Sequence, residues 1–297
     1  MTVLESIQRS TQFLAKKGVE TPRLQTELLL AHLLQMPRMQ LYLNFERPLT
    51  STEVDRLREL VQRRGQREPL QHIIGSTSFC GLELSVDRRA LIPRPETELL
   101  AERGWDFLQQ RSNAPHQPPV ALDFGTGTGC LAIALACHCP DARVYALDIS
   151  SEALSLARQN AQRHPAACRI EFVAGDKLHA LPPGVRLDLI LSNPPYIPTA
   201  EIAALEPEVR DFDPPTALDG GADGLDYYRY LAAEAAAYLN PDARLMVEIG
   251  DGQAARIRAL FETQNWVVEC LVEDYNQRPR ILVLRCAPVA RASEDRS

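Results

Sequence analysis

The sequence predicts an α/β fold: a seven-stranded, mostly parallel sheet with a C-terminal antiparallel hairpin, preceded by a small helical bundle and a β-hairpin linker. Three observations predict it. The first 68 residues carry apolar residues at helical spacing and no strand run. Beyond Val120, seven short apolar runs alternate with segments of helical composition, the pattern of strands joined by crossover helices. The last two runs are separated only by Glu273 to Arg280, too few residues for a crossover, so they pair antiparallel at the sheet edge.

In the bundle, Leu4, Ile7, Phe13 and Leu14 form one apolar stripe, Leu24, Leu28, Leu29, Leu33 and Leu34 a second, and Val54, Leu57, Leu60 and Val61 a third. Breaks fall at Gly18, Pro22, Pro37 and Pro48, and Thr50 or Ser51 can cap the third main helix. From Ile73 to Ile92 the pattern changes to β-type runs, Thr77 to Phe79 and Leu82 to Val86, around Gly81. Pro93 and Pro95 then open a helix through Glu96, Thr97 and Glu98, and the stretch from Arg111 to Pro119 reads as a loop. The strand runs are Val120 to Phe124, Arg143 to Asp148, Ile170 to Val173, Leu187 to Ser192, Arg244 to Ile249, Val267 to Val272 and Ile281 to Leu284. Helices are expected over Leu131 to Ala136, Glu152 to Arg163, Tyr227 to Leu239 and Gln253 to Phe261, and a polar, disordered tail after Ala287.

A chain of 297 residues with 45% hydrophobic content can bury one large core and still form a second, smaller one. It has no run of roughly 18 apolar residues, the length a membrane helix needs, and Met1 to Ser10 lacks a signal-peptide pattern, so a cytoplasmic protein with no membrane partner is expected. The seven cysteines are odd in number and scattered, which fits reduced thiols; Cys137-His138-Cys139 has no second ligand pair nearby at zinc spacing, so no metal is expected. The net charge of -7 is uneven: residues 1 to 100 hold 14 Lys plus Arg against 12 acids, and the remainder 18 against 27. Such a balance lacks the concentrated basic face of a duplex binder, so no direct nucleic-acid partner is expected and a protein substrate is easier to accommodate.

Two segments carry chemistry. Val120 to Phe124 runs directly into Gly125-Thr126-Gly127-Thr128-Gly129 and an apolar helix, placing a glycine loop at the carboxyl end of a strand, where open sheets bind ligands. A dinucleotide fingerprint wants its third glycine one position later, where Cys130 stands. Asp148 ends the second strand of this sheet; its carboxylate can accept from both hydroxyls of a ribose, or cap the helix that follows. Asp176 ends the third, beside Lys177, as a ligand contact or a turn former.

The second segment is Asn193-Pro194-Pro195-Tyr196, which ends the fourth strand. Two prolines stiffen the chain, so the Asn193 side-chain oxygen and the Pro194 carbonyl become a preorganised pair of acceptors. An amide or aromatic amine is a poor nucleophile because its lone pair is delocalised; two acceptors for its N–H groups can orient it and favour pyramidalisation, while Tyr196 packs on the planar group. The tetrapeptide alone does not separate an amide from a nucleobase.

The loop, with Asp123 just before it, resembles the first motif of the class I S-adenosylmethionine-dependent methyltransferases, which implies a Rossmann-like methyltransferase sheet and S-adenosyl-L-methionine as cofactor. Across almost the whole chain the sequence resembles, more narrowly, the release factor glutamine methyltransferases of the HemK or PrmC type. The residues that carry this are Arg67 to Gly75, Phe79 to Leu82, Leu91 to Glu98, Ala217 to Leu225 and Glu248-Ile249-Gly250; departures stand at His72, Cys80 and Lys177.

The resemblance implies methylation of the side-chain amide nitrogen of the glutamine in the Gly-Gly-Gln motif of peptide chain release factors. Asn193, Pro194 and Tyr196 would be catalytic. Asp123, Gly125, Thr126, Gly127, Thr128, Gly129, Asp148, Asp176, Lys177 and Asn193 would hold the cofactor. Pro195, Arg94, Pro95 and Glu96 would join the tetrapeptide in binding substrate, although Arg94 paired with Glu98 across one helical turn is a plainer reading. It also implies a substrate-recognition domain over 1–68, a linker over 69–98, a methyltransferase domain over 99–286 and a tail over 287–297. A branch that methylates a ribosomal-protein glutamine is the nearest alternative, and a nucleic-acid amino methyltransferase sharing the tetrapeptide is a more distant one.

Overall fold

A computed structural model describes residues 1–112 and 118–287; the expected tail beyond 287 and the centre of the expected loop from Arg111 to Pro119 lie outside the described residues. The chain divides into two compact units. Among the described residues the first comprises Met1–Thr77 with Val86–Arg88 and Ala204–Asp213, and the second Ser78–Ser85, Arg89–Ala203 and 214–287.

The first unit packs helices Val3–Lys16, Pro22–Leu33, Arg38–Leu43, Ser51–Gly65 and Leu70–Ile74. Two of them begin with reciprocal caps. The Thr2 hydroxyl accepts from the Glu5 N–H while the Glu5 carboxylate accepts from the Thr2 N–H, and Thr50 and Glu53 repeat the arrangement. The apolar stripes converge on a core of Ile7, Leu14, Leu29, Leu30, Leu41, Leu57 and Val61. Residues 204–213 join this unit through Glu208, whose Oε1 accepts from Arg64 and Arg67 at 2.6 Å each.

Strands β1 (Ser76–Phe79) and β2 (Leu82–Ser85) form the expected hairpin. Its two turn residues, Cys80 and Gly81, both have positive φ, as a two-residue loop matched to the strand twist requires.

The second unit holds β3 (Val120–Phe124), β4 (Arg143–Asp148), β5 (Ile170–Ala174), β6 (Leu187–Ser192), β7 (Leu239–Glu248), β8 (Trp266–Glu273) and β9 (Pro279–Cys286), in the order β5-β4-β3-β6-β7-β9-β8. The first five are parallel, and β9 runs antiparallel to both β7 and β8, so the hairpin closes the sheet with β8 at its edge. Alternate strand residues face opposite layers. Ala121, Val144, Leu189 and Met246 pack with Leu131–Ala136 on one side; Leu122, Tyr145, Ile190 and Leu245 pack with Tyr228, Leu231, Ile257 and Phe261 on the other. Burial on both faces explains why these strands read as continuous apolar runs rather than alternating ones.

Two boundaries depart from expectation by more than two residues. β7 starts at Leu239 rather than Arg244, because Leu239 pairs with Leu187 ahead of an irregularity and Asp242 takes a left-handed φ of 60°. The helix expected from Tyr227 to Leu239 is α-helical only over Asp226–Glu234 and tightens to a 3₁₀ turn over Ala235–Tyr238. Among the described residues no helix is long and apolar enough to cross a membrane.

Candidate active site

The topology places both chemical segments on one edge of the second unit. From β3 the chain winds outward through β4 and β5; from β6 it winds the other way, which makes the gap between β3 and β6 the switch point where ligands of open sheets bind. The β3–β6 register pairs Asp123 with Leu191, so the glycine loop and Asn193 emerge from adjacent strands at the same level. The Ser192 hydroxyl, donating to the Phe124 carbonyl at 2.8 Å, ties the two strand ends together.

The three glycines of the loop serve different ends. Gly125 has φ of 77° and open space where a Cβ would project, so the backbone there is available to a ligand. Gly127 has φ of 54°, and its N–H donates to Asp148 Oδ2 at 2.8 Å. At Gly129 a Cβ would stand 3.1 Å from Ala157, so this glycine seats the loop on the helix Ser151–Gln162. Asp123 lies beneath, fully buried, with Oδ2 accepting from the Thr126 hydroxyl at 2.6 Å and the Ala132 N–H at 3.1 Å; burial pushes its carboxyl up to about 7.

A cleft opens above the loop. Gly125, Thr126, Gly127 and Thr128 line it, with Asp148 and Asp176 on one side and Asn193, Pro195 and Arg94 on the other. Asp123, Gly129, Lys177, Pro194, Tyr196, Pro95 and Glu96 do not line it. Lys177 instead holds its ammonium 5.8 Å from the Tyr230 ring centre. Asp148 Oδ1 accepts from the Ser150 N–H, but the helix cap itself is the Ser150 hydroxyl, which accepts from Ala153. Burial raises the Asp148 carboxyl. The donor set fits a nucleoside sulfonium: an open glycine backbone, a carboxylate with lone pairs to spare for two hydroxyls, the exposed apolar Ile149, and Thr128 Oγ1, buried without a partner among the described residues.

The tetrapeptide is held from behind by glycines. A Cβ on Gly220 would meet the Pro195 carbonyl at 2.8 Å, one on Gly224 the Tyr196 carbonyl at 2.3 Å, and one on Gly250 the Tyr196 ring at 3.0 Å. Ile197 and Asp219 form a bridge beside them, and Gln253 Nε2 donates to the Tyr196 carbonyl at 2.8 Å. Burial pushes the Tyr196 phenol up to about 12. Among the described residues neither Asn193 Oδ1 nor the Pro194 carbonyl accepts a hydrogen bond, whereas Asn193 Nδ2 donates to Thr97 Oγ1 at 3.1 Å and that hydroxyl donates to Glu248 Oε2 at 2.6 Å.

Sequence reasoning did not assign Thr97 or Glu248 to the site, nor Ile149, Tyr227 and the segment Pro214 to Ala217 in the cleft wall. A carboxylate ending the strand next to the one that carries the tetrapeptide was the available signal for Glu248. The contact itself joins residues 151 apart, which no local pattern announces. Glu98, considered above as a partner for Arg94, accepts from the Cys80 N–H at 2.8 Å.

The chain is similar to known proteins over most of its length. The PrmC N-terminal domain profile matches residues 5–75 and the methyltransferase small domain profile matches residues 103–205. A release factor glutamine methyltransferase of Geobacter sulfurreducens is 44% identical over 281 residues, covering 95% of this chain and 95% of its own. That of Chlorobaculum tepidum is 42% identical over 282 residues, covering 94% and 95%. The solved structure of a methyltransferase from Pyrococcus furiosus, 18% identical, covers 75% of this chain and 97% of its own with a TM-score of 0.52, and shares the fold. The chain belongs to the release factor glutamine methyltransferase family.

Proposed function

We propose that this chain transfers a methyl group from S-adenosylmethionine to the side-chain amide nitrogen of the glutamine in the Gly-Gly-Gln motif of peptide chain release factors, in the cytoplasm and without a nucleic-acid or membrane partner. The observation that carries the reading is the pair of acceptors, Asn193 Oδ1 and the Pro194 carbonyl, left unused by the protein at the end of the strand beside the glycine loop.

Bound S-adenosylmethionine supplies an electrophilic methyl on sulfur. Gly125 to Thr128 would present backbone to the cofactor, with Gly129 seating the loop and Asp123 and Thr126 supporting it; Asp148 would accept from its ribose hydroxyls, and Asp176, with Lys177 beside it, would bound the adenine side. Asn193 Oδ1 and the Pro194 carbonyl each accept one N–H of the glutamine amide, which aligns its nitrogen for in-line attack and favours loss of amide planarity. Tyr196 packs on the planar amide through its ring; its phenol, raised to about 12, stays protonated and is no base. None is needed before attack: forming the nitrogen–methyl bond would break the methyl–sulfur bond and leave a neutral thioether, the nitrogen would then be cationic, and one of the two protons it already carried would become acidic and pass to water. Pro195, Arg94, Pro95 and Glu96 contact the substrate chain. Residues 1–68 form the substrate-recognition domain, 69–98 the linker and 99–286 the methyltransferase domain.

The test is incubation with methyl-labelled S-adenosylmethionine and, separately, purified release factor, ribosomal protein and DNA. Label confined to the Gly-Gly-Gln peptide is expected. Label on ribosomal protein or DNA but not on the Gly-Gly-Gln peptide, or on none of the three, overturns the assignment. Asn193→Ala should lower turnover about 100-fold, as loss of a polar positioning group does, and change cofactor affinity far less.

A further inference from the structure

We propose that Thr97 and Glu248 are positioning residues that determine which end of the Asn193 amide faces the substrate, a role that rests on the glutamine-methylation reading above. The side chains form a directed chain: Asn193 Nδ2 donates to Thr97 Oγ1 at 3.1 Å, and Thr97 Oγ1 donates to Glu248 Oε2 at 2.6 Å. Thr97 and Glu248 are each 2% exposed, so water does not compete for either. The β6–β7 register pairs Ser192 with Val247, which puts Glu248 level with Asn193 on the neighbouring strand. Tyr228 Oη, donating to the Glu248 carbonyl at 2.8 Å, holds that strand end.

The direction follows from the donor inventory. An ionised carboxylate only accepts, and a threonine hydroxyl has a single proton, so that proton goes to Glu248 and only lone pairs remain for Asn193. The amino end of the asparagine amide must then face Thr97, leaving Oδ1 at the opposite end as an acceptor. An asparagine amide by itself has a nearly two-fold terminal torsion and no such preference. In the reversed orientation its amino group would meet the substrate N–H donor to donor, while Oδ1 would face the oxygen of Thr97.

The groups around Glu248 tune this direction. Burial pushes its carboxyl up to about 7; Glu96 adds to the rise, and the Thr97 hydrogen bond, Arg280 and Arg94 oppose it. Tyr196 and Tyr228, also adjacent, are both held neutral by burial. A protonated Glu248 can donate to Thr97, which frees the hydroxyl to donate to Asn193 Oδ1 and removes the acceptor. Turnover therefore falls as pH drops through about 7.

The experiment compares the full chain with Thr97→Val, Thr97→Ser and Glu248→Gln. It measures kcat and KM on release factor, calorimetric affinity for S-adenosylmethionine, and the side-chain amide signals of Asn193 by ¹⁵N NMR. Thr97→Val is expected to lower kcat about 100-fold, the scale of a misplaced positioning group, with cofactor affinity unchanged. Thr97→Ser, which keeps the hydroxyl, restores kcat, and Glu248→Gln removes the acidic limb of the kcat–pH profile. In the NMR spectrum the Asn193 NH₂ pair exchanges slowly with solvent in the wild type and fast in Thr97→Val. An unchanged kcat in Thr97→Val, or a Thr97→Ser variant as impaired as Thr97→Val, overturns the proposal. Should Thr97→Val not fold, the isosteric Glu248→Gln decides, and an unaltered pH profile refutes the role. A wild-type chain that labels no glutamine fails the parent reading instead, and the exchange of the Asn193 amide still decides this one.

Discussion

Glycines 220, 224 and 250 connect a sequence signature to a physical cause, since each sits where a Cβ would strike the backbone or ring of the tetrapeptide. Gly224 is the sharpest case, with φ of 75° and the Tyr196 carbonyl 2.3 Å from the position a Cβ would take. Gly184 is its natural control: φ is 80°, but nothing lies within 4 Å of the added carbon. Both Gly→Ala variants should lose roughly 1–2 kcal/mol to the left-handed backbone alone. Only Gly224→Ala should also displace Tyr196 and lower turnover, because only there does the methyl group collide with the site. Thermal melts and kcat measured side by side check this; equal turnover in the two variants would separate the Ala217 to Leu225 segment from the positioning of the tetrapeptide.

At the scale of the strand, the carboxyl ends of β3 and β7 bury Asp123 and Glu248, and burial carries a pH signature. The Asp123 carboxyl is pushed from an ordinary 3.8 to about 7, so between those values the folded chain holds a proton that the unfolded chain has released. Stability from this group therefore falls as pH rises through that window and levels off above it, by up to a few kcal/mol. Asp123→Asn can keep both accepted hydrogen bonds on its oxygen while placing its amino group where Oδ1 has no partner among the described residues. Melting temperature compared at pH 4.5 and 8 should drop less in this variant than in the wild type. Much of this edge was legible beforehand, because each strand is an apolar run that stops at a residue unable to continue it: Phe124 before Gly125, Asp148, and Ser192 before Asn193-Pro194. The start of β7 was not, since Asn240-Pro241-Asp242 has turn composition and is retained in the strand only by pairing with β6. The Thr97–Glu248 contact escaped for a related reason: it depends on how the helix Pro95–Ser112 packs against the end of β7, not on any window of sequence.

Over the whole molecule, the two units respond to different perturbations. Every residue lining the cleft belongs to the second unit. The first is bound internally by Arg64, whose side chain, 4% exposed, donates to Glu208, to Gln25 and to the Glu68 carbonyl. Arg64→Ala removes three donated hydrogen bonds from a buried position while Glu208 keeps Arg67 as its partner, so it should destabilise the first unit by roughly 1–3 kcal/mol and expose residues 204–213 to proteolysis. Cofactor acts on the other unit. A ligand that binds only the folded state at about 100 times its Kd adds about 2.7 kcal/mol, so S-adenosylmethionine should raise the calorimetric transition of the second unit by several degrees. Asp148→Ala removes the carboxylate proposed to receive the ribose hydroxyls and frees the Gly127 N–H it anchors, so that shift should vanish. Arg64→Ala should keep it, because none of its contacts reach the cleft-lining residues. A cofactor shift that survives Asp148→Ala would move the ribose contact to another residue, and one lost in Arg64→Ala would show that the first unit supports the cleft.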